Sequence, residues 1–266
     1  MSKLHHPIST LFFSHKPFLF VPASSLRNPR NFFNFTTNST NNHSLVAAAQ
    51  AQSPIAKKPP NLPGLENVML EYMFGKKKAT EVAHSVWKCV VQKGDAVIDA
   101  TCGNGYDTLA MLNMVADKSQ KGRVYALDLQ DVALQNTRSL LDESLDDNER
   151  ELVELFSTCH SKLEEVIPRN ITVRLVAFNL GYLPGGDKTM ITKSDTTLLG
   201  LEAAERVVAP GGLISLLVYV GHPGGREEFE TVQAFASGLA VDKWSCCKLE
   251  MLNKPLAPII VFLFKR

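Results

Sequence analysis

The chain has 266 residues, with 28 basic and 27 acidic side chains, a formal net charge of +1, and 45% hydrophobic residues. This balance is typical of one folded domain with an additional segment. It excludes nucleic-acid binding through bulk charge, so such binding would need a local basic patch. The five cysteines form no C-x-x-C pair, which indicates neither a disulfide framework nor a zinc site, and no metal is expected.

The additional segment lies at the N-terminus. No acidic residue precedes Glu66, whereas Ser, Asn and scattered basic residues are abundant. This composition predicts a disordered organelle transit peptide over residues 1–50, a Pro-rich linker over 51–68 and a catalytic domain over 69–266. The Ser and Asn content favours the chloroplast stroma, with the mitochondrion as the alternative, and a tail without a targeting role stays open. The apolar run LFFSHKPFLFVPA is too short and too polar to span a bilayer, so no membrane contact is expected.

After the linker, hydrophobic spacing predicts a helix over Ala79–Val91, and strands then alternate with helices. The predicted strands cover 96–100, 123–128, 152–157, 174–179 and 212–220, and the helices cover 106–115, 132–141, 161–166, 195–207 and 227–239. Two further strands, in WSCCKLEML and APIIVFLFK, have no helix between them. This order predicts an α/β fold with a seven-stranded, mostly parallel sheet and an antiparallel C-terminal strand. That combination is the Rossmann-like fold of the class I methyltransferases.

The turn after the first strand reads DATCGNGYDT, Asp99–Thr108, here called the glycine loop. Gly103 and Gly105 allow a sharp turn and a close approach to a ligand. The dinucleotide fingerprint G-x-G-x-x-G is incomplete, because its third glycine is replaced by Thr108. The loop carboxylates Asp99 and Asp107 would repel a pyrophosphate but suit the sulfonium and ammonium of S-adenosylmethionine. NAD, and a turn without a ligand, are the alternatives.

The second strand ends in YALDLQ, where Asp128 is placed to accept hydrogen bonds from ribose hydroxyls. His160, after the third strand, is expected near the adenine, although a residue that merely starts a helix is equally consistent with this position. The predicted residues for binding S-adenosylmethionine are Asp99, Gly103, Asn104, Gly105, Asp107, Thr108, Asp128, Gln130, His160 and Asn179.

The fourth strand runs into FNLGYLPGGDK, Phe178–Lys188, here called the fourth-strand loop. Amino-group methyltransferases often carry Asn/Asp-Pro-Pro-aromatic at this point, where an amide and a carbonyl orient the amine beside an aromatic face. Asn179 and Tyr182 occupy the outer positions of that motif, but Leu180 and Gly181 replace the prolines. An ordinary β-turn stays open. His222, in VYVGHPGGREEFE after the fifth strand, is expected at the same edge.

Taken together, DATCGNGYDT, FNLGYLPGGDK followed by TKSDTT, and GHPGGREE resemble the motifs of the YtqB/MnmM-like family, labelled rRNA methylases. The resemblance runs from about Ala83 to the C-terminus. Cys102 and Tyr106 depart from it, standing where Met and His are common. The resemblance implies the class I fold, S-adenosylmethionine, and methylation of the amine of 5-aminomethyl-(2-thio)uridine at the tRNA wobble position. By family analogy alone, a homodimer is expected.

A reaction follows from this resemblance as a hypothesis. An alkyl amine is mostly protonated near neutral pH and must lose a proton before it attacks. We expect Asn179 to orient the amine, Tyr182 to pack against the uridine, and Asp187 or His222 to accept the proton. The bases of a tRNA anticodon stem-loop would stack at this edge, with phosphates near Lys188, Lys193, Arg226 and Lys76–Lys78.

Other functions stay open at this point. A methyltransferase that acts on rRNA or on a small-molecule amine fits the same motifs. A non-catalytic RNA-binding protein that kept the fold would not need the intact glycine loop. A dehydrogenase would need to bind nicotinamide.

Overall fold

The computed structural model describes residues 64–117 and 121–266. These residues belong to one compact unit. The predicted transit peptide, 1–50, and most of the predicted linker lie outside the described residues. The first helix, Leu65–Met73, begins within the last four residues of the predicted linker.

Seven α-helices, one 3-10 helix and seven strands make up the described part of the chain. Helices α1 to α7 span Leu65–Met73, Ala79–Val90, Tyr106–Val115, Asp131–Ser144, Asp147–Arg150, Ser194–Val207 and Gly225–Gly238. Strands β1 to β7 span Ala96–Asp99, Arg123–Asp128, Val153–Ser157, Val173–Leu180, Val208–Val218, Trp244–Leu249 and Ile259–Lys265. The 3-10 helix, His160–Glu165, follows β3.

The strands form one sheet in the order β3-β2-β1-β4-β5-β7-β6. Strands β1 to β5 are mutually parallel, and β7 inserts antiparallel between β5 and β6. The sequence prediction of a class I fold is therefore confirmed. Because the chain order reverses beside β1, the ends of β1, β2 and β4 meet at the switch point where such sheets bind ligands.

Successive side chains of each central strand point to opposite faces of the sheet, and they pack into two hydrophobic cores, one on each face. Val97 packs with Trp87 of α2 and Met111 of α3 on one face. Its neighbour Ile98 packs on the other face, in the core that contains Leu201 of α6 and Phe229 of α7. Burial of both faces explains the nearly continuous apolar sequence of β1, β4 and β5.

The structure contains two helices that the sequence did not predict, and the start of β5 shows the largest shift of a strand boundary. The helices α1 and α5 were not predicted, and α5 is a single turn whose N-cap, Asp146, accepts a hydrogen bond from Glu149 N. β5 begins at Val208, earlier than the predicted Gly212, because Val208 pairs with Val173 across a register shift. In the described part of the chain, no helix combines the length and apolar character needed to cross a bilayer.

Candidate active site

A cleft of about 960 Å³ opens at the carboxyl ends of β1, β2 and β4. Its walls come from the glycine loop, the fourth-strand loop, the N-terminal part of α2 and the segment after β3. Side chains that line it include Lys78, His84, Asn104, Asp107, Asp128, Gln130, His160, Asn179, Tyr182 and Tyr219. The structure thus brings most of the sequence-predicted residues to one place.

The backbone of the glycine loop depends on Gly105. This residue has φ +85°, and a Cβ there would lie 2.9 Å from Thr137 Cα. Thr137 also donates a 3.0 Å hydrogen bond from its hydroxyl to Gly103 O. Gly105 therefore permits both a left-handed turn and the close packing of α4 against the loop.

Asp128 connects the end of β2 to the glycine loop. Its two carboxylate oxygens accept hydrogen bonds from Gly103 N, at 3.0 Å, and from Gln130 N, at 2.9 Å. Burial raises the pKa of Asp128, and the backbone hydrogen bonds offset part of that effect. Each oxygen keeps a further lone pair, so Asp128 is able to accept hydrogen bonds from a diol in the cleft.

Asp99 and Thr108 lie beneath the cleft and are not part of its lining. Thr108 Oγ1 donates a 2.6 Å hydrogen bond to Asp99, which is only 1% exposed. Burial, together with the charge of Asp107, raises the pKa of Asp99 to about 7. Their hydrogen bond helps to shape the glycine loop, and their predicted contact with the ligand stays a prediction.

Asp107 joins two walls of the cleft. Its Oδ2 accepts a hydrogen bond from Asn179 Nδ2 at 3.2 Å, and its Oδ1 lies 2.6 Å from His84 Nε2. Sequence reasoning missed His84. The only signal for it is a polar residue on α2 between the buried Ala83 and Trp87.

Asn104 connects the glycine loop to the fourth-strand loop. Its Nδ2 donates a 3.2 Å hydrogen bond to Pro184 O, and its Oδ1 accepts a 2.9 Å hydrogen bond from Asn136. The predicted ligand-binding residue is thus also a contact between the two loops.

The fourth-strand loop is fixed mainly by two threonines. Asn179 N donates to Thr101 Oγ1 at 2.7 Å, and Gly181 N donates to Thr192 Oγ1 at 2.9 Å. Tyr182 pairs with Ile191 as an antiparallel bridge, and its side chain stays 44% exposed. The loop therefore presents an amide and an aromatic ring to the cleft from a defined backbone.

A buried polar network supports the same loop from behind. Thr192 and Thr197 donate hydrogen bonds to the two oxygens of Glu228, which is fully buried. His160 Nε2 lies 3.5 Å from Thr197 Oγ1. Burial lowers the pKa of His160 to about 4, so its imidazole is neutral at pH 7. Sequence reasoning did not find Glu228, because its partners lie 31 and 36 positions away.

The two predicted proton acceptors do not line the cleft. Asp187 accepts hydrogen bonds from Thr189 N and Thr189 Oγ1, which lower its pKa. His222 Nδ1 lies 3.0 Å from Pro223 O. Because a carbonyl only accepts, Nδ1 carries a hydrogen, and in the neutral imidazole Nε2 is then the acceptor. Nε2 is buried without a hydrogen-bond partner. The His222 ring meets the Tyr182 ring edge-on, with centroids 6.2 Å apart.

Residues 64–117 and 121–266 contain no group of three or more His, Cys, Asp or Glu side chains arranged to hold a metal ion.

The fold and the cleft are those of a class I methyltransferase, and comparisons with known proteins define the family. The model of the family described as "Putative rRNA methylase" matches residues 124–265. The chain belongs to this family. It is 61% identical over 221 residues to the Arabidopsis thaliana protein named tRNA (mnm(5)s(2)U34)-methyltransferase, chloroplastic. The aligned region covers 82% of this chain and 81% of that protein.

Two solved structures share the fold at informative sequence identity. A Clostridium thermocellum protein described as a "putative rRNA-methylase" is 34% identical, with a TM-score of 0.66, and covers 71% of this chain and 98% of its own. SMU.1697c of Streptococcus mutans, solved in complex with SAH, is 28% identical, with a TM-score of 0.61, and covers 71% of this chain and 99% of its own.

Proposed function

We propose that this protein transfers a methyl group from S-adenosylmethionine to the amine of 5-aminomethyl-(2-thio)uridine at the wobble position of tRNA. The observation that carries the proposal is the Asn179 amide, held by Asp107 at the end of β4 inside the cleft. The Arabidopsis relative, whose name states this wobble-uridine activity, supports the substrate. The SAH complex of the Streptococcus mutans protein supports the cofactor.

The cleft fits S-adenosylmethionine in shape and charge. Gly103 has φ +52°, a left-handed conformation that glycine adopts without strain, and its backbone forms part of the cleft wall. Asp128 would accept the ribose hydroxyls, and Asp107 places a carboxylate in the wall for a cationic ligand. When bound, the cofactor supplies an electrophilic methyl group on a sulfonium.

Asn179 and Tyr182 would position the acceptor amine. The amide oxygen of Asn179 would accept a hydrogen bond from an N–H of the amine and so direct the amine lone pair toward the methyl group. The Tyr182 ring would pack against the uridine. Neither His222 nor Asp187 lines the cleft, and for the proton we favour His222, because its ring contacts that of Tyr182, which does line it, and its Nε2 has no hydrogen-bond partner. The Asp187 carboxylate is engaged with Thr189, and its lowered pKa makes it a weaker base.

Cationic side chains around the cleft suit an RNA ligand. Lys78 and Lys193 line it, and Lys188 Nζ lies 5.8 Å from the centre of the Tyr182 ring. Single-stranded bases of an anticodon stem-loop would stack on exposed rings while these lysines meet phosphates. The word chloroplastic in the relative's name supports the chloroplast over the mitochondrion, and within the chloroplast we propose the stroma. Light scattering after gel filtration tests the homodimer expected from the family analogy.

The deciding experiment incubates the protein with labelled S-adenosylmethionine and tRNA that carries 5-aminomethyluridine, followed by nucleoside mass spectrometry. We expect the methylaminomethyl nucleoside from the wild-type protein and none from Asn179→Ala. Transfer to rRNA or to a small amine, with unmodified tRNA, would contradict the substrate and leave the fold and cofactor in place.

A further inference from the structure

We infer that His84 is a positioning residue that acts through Asp107 to fix the orientation of the Asn179 amide. The inference rests on the proposed function, because it assigns the Asn179 carbonyl oxygen to the acceptor amine. It adds to the site a residue of α2, which lies outside the region matched by the family model.

The first step concerns Asn179 and Asp107. An ionised carboxylate has acceptors and no donor, so the amide atom that faces Asp107 Oδ2 at 3.2 Å is Nδ2. The amide is planar, and its oxygen therefore points away from Asp107. An amine offers N–H donors to the group that orients it, so Asn179 has to present its oxygen. Without Asp107, either end of the amide would face the cleft.

The second step concerns the position of Asp107. Its other oxygen, Oδ1, lies 2.6 Å from His84 Nε2, and the same acceptor argument requires a hydrogen on Nε2. The side chains of His84 and Asp107 are 26% and 13% exposed, so little water competes for this contact. His84 therefore determines the direction in which Asp107 presents its second oxygen to Asn179.

The third step concerns the His84 ring itself. It lies 4.7 Å from the Trp87 ring, centroid to centroid, at an interplanar angle of 44°. Trp87 is 2% exposed and belongs to the core between α2 and the sheet. A chain of contacts, here called the relay, thus runs from Trp87 in the core through His84 and Asp107 to the Asn179 amide in the cleft.

Two substitutions separate this role from that of a base. His84→Gln keeps an N–H donor near the position of Nε2 but cannot take up a proton at neutral pH. His84→Phe keeps a ring against Trp87 and removes the donor. We expect His84→Phe to lower kcat about tenfold or more and His84→Gln to recover most of that loss. Equal losses in both variants, or an unchanged kcat in His84→Phe, would overturn the inference.

A second measurement does not depend on turnover. A long-range ¹H–¹⁵N NMR spectrum at a pH where His84 is neutral should show its hydrogen on Nε2. The Asn179 side-chain amide hydrogens, assigned by their loss in Asn179→Asp, should exchange with solvent more slowly in the wild-type protein than in His84→Phe. A hydrogen on Nδ1, or equal exchange in both proteins, would refute the relay. If wild type fails to methylate tRNA, the proposed function fails, and these spectra still decide the inference.

Discussion

Thr192 and Glu228 lie 36 positions apart in the chain and are joined by a 2.9 Å hydrogen bond from the threonine hydroxyl to Glu228 Oε2. The same hydroxyl accepts a hydrogen bond from Gly181 N, in the fourth-strand loop. A carboxylate of α7 with no solvent exposure therefore fixes the backbone next to Tyr182.

This relationship predicts different outcomes for two similar substitutions. Thr192→Val and Thr197→Val each remove one hydroxyl donor from Glu228, so each should destabilise the fold by about 1 to 3 kcal/mol in urea unfolding. Only Thr192→Val also releases Gly181 N, so only this variant should lower kcat substantially. Equal kcat in the two variants would show that Glu228 does not position the loop.

The packing of Gly105 predicts a strong effect of an added methyl group. Gly105→Ala places a Cβ 2.9 Å from Thr137 Cα, whereas Gly94→Ala, at a similar φ of +87°, meets no atom closer than 3.7 Å. Both variants should lose about 1 to 2 kcal/mol to left-handed strain. Gly105→Ala should lose a further 1 to 3 kcal/mol, roughly, to overpacking. It should also weaken S-adenosylmethionine binding in calorimetry, and equal losses in both variants would contradict this reading.

The burial of Asp99 predicts how stability depends on pH. Because its folded-state pKa is raised from 3.8 to about 7, the folded protein keeps this proton where the unfolded chain has lost it. Its contribution to the free energy of unfolding therefore falls as pH rises from about 4 to about 7. Asp99→Asn has no carboxyl group to titrate at this position. The free energy of unfolding of this variant, relative to that of wild type, should therefore increase over that pH range.

Urea unfolding of both proteins at several pH values measures this difference, which should be on the order of a few kcal/mol, since one pKa unit is about 1.4 kcal/mol. Asp187→Asn is the control. The pKa of Asp187 is lowered, so its contribution is lost as pH falls, which is the opposite direction. A constant difference between wild type and Asp99→Asn would contradict the raised pKa.

The exposed ring of Tyr182 predicts a defect confined to the RNA. Stacking of a base on an aromatic side chain contributes about 1 to 3 kcal/mol, so Tyr182→Ala should lower kcat/KM for tRNA about tenfold or more. Tyr182→Phe keeps the ring and should keep most of that activity. Calorimetry should give similar Kd values for S-adenosylmethionine in both variants. A large loss in Tyr182→Phe would assign the role to the hydroxyl instead.

Local signals predicted most of the fold. The bounds of α3 and β2 agree with their predicted residues, Tyr106–Val115 and Arg123–Asp128, because caps and turns adjacent in sequence set them. The start of β5 depends on pairing with Val173 of another strand, which no local pattern encodes. The helix α1 was missed because it follows a Pro-rich segment, and its Val68 and Met69 pack only against the assembled core.

The residues of the site also fall into two groups, those that a local sequence pattern predicts and those that only the folded chain reveals. The glycine loop and the fourth-strand loop are contiguous motifs, and their residues converge on one cleft. His84 and Glu228 are polar residues on helices, and their partners lie 23 to 36 positions away, so only the folded chain shows their contacts. The choice between Asp187 and His222 as base also depends on contacts, with Thr189 and with Pro223, that residue type does not reveal.

The hydrogen bond between Asn104 and Pro184 also bears on how the protein would complete a catalytic cycle. It is a neutral, solvent-exposed contact of 3.2 Å between two loops that Asn179 also joins through Thr101 and Asp107, and the net contribution of such a bond is only about 1 kcal/mol. A contact this weak breaks readily, so the two loops can separate at Asn104 and Pro184 and let the spent cofactor leave, while the hydrogen bonds of Asn179 keep the rest of the site in place. If Lys78, Lys188 and Lys193 bind phosphates as proposed, release of the modified RNA would then limit the rate of repeated turnover.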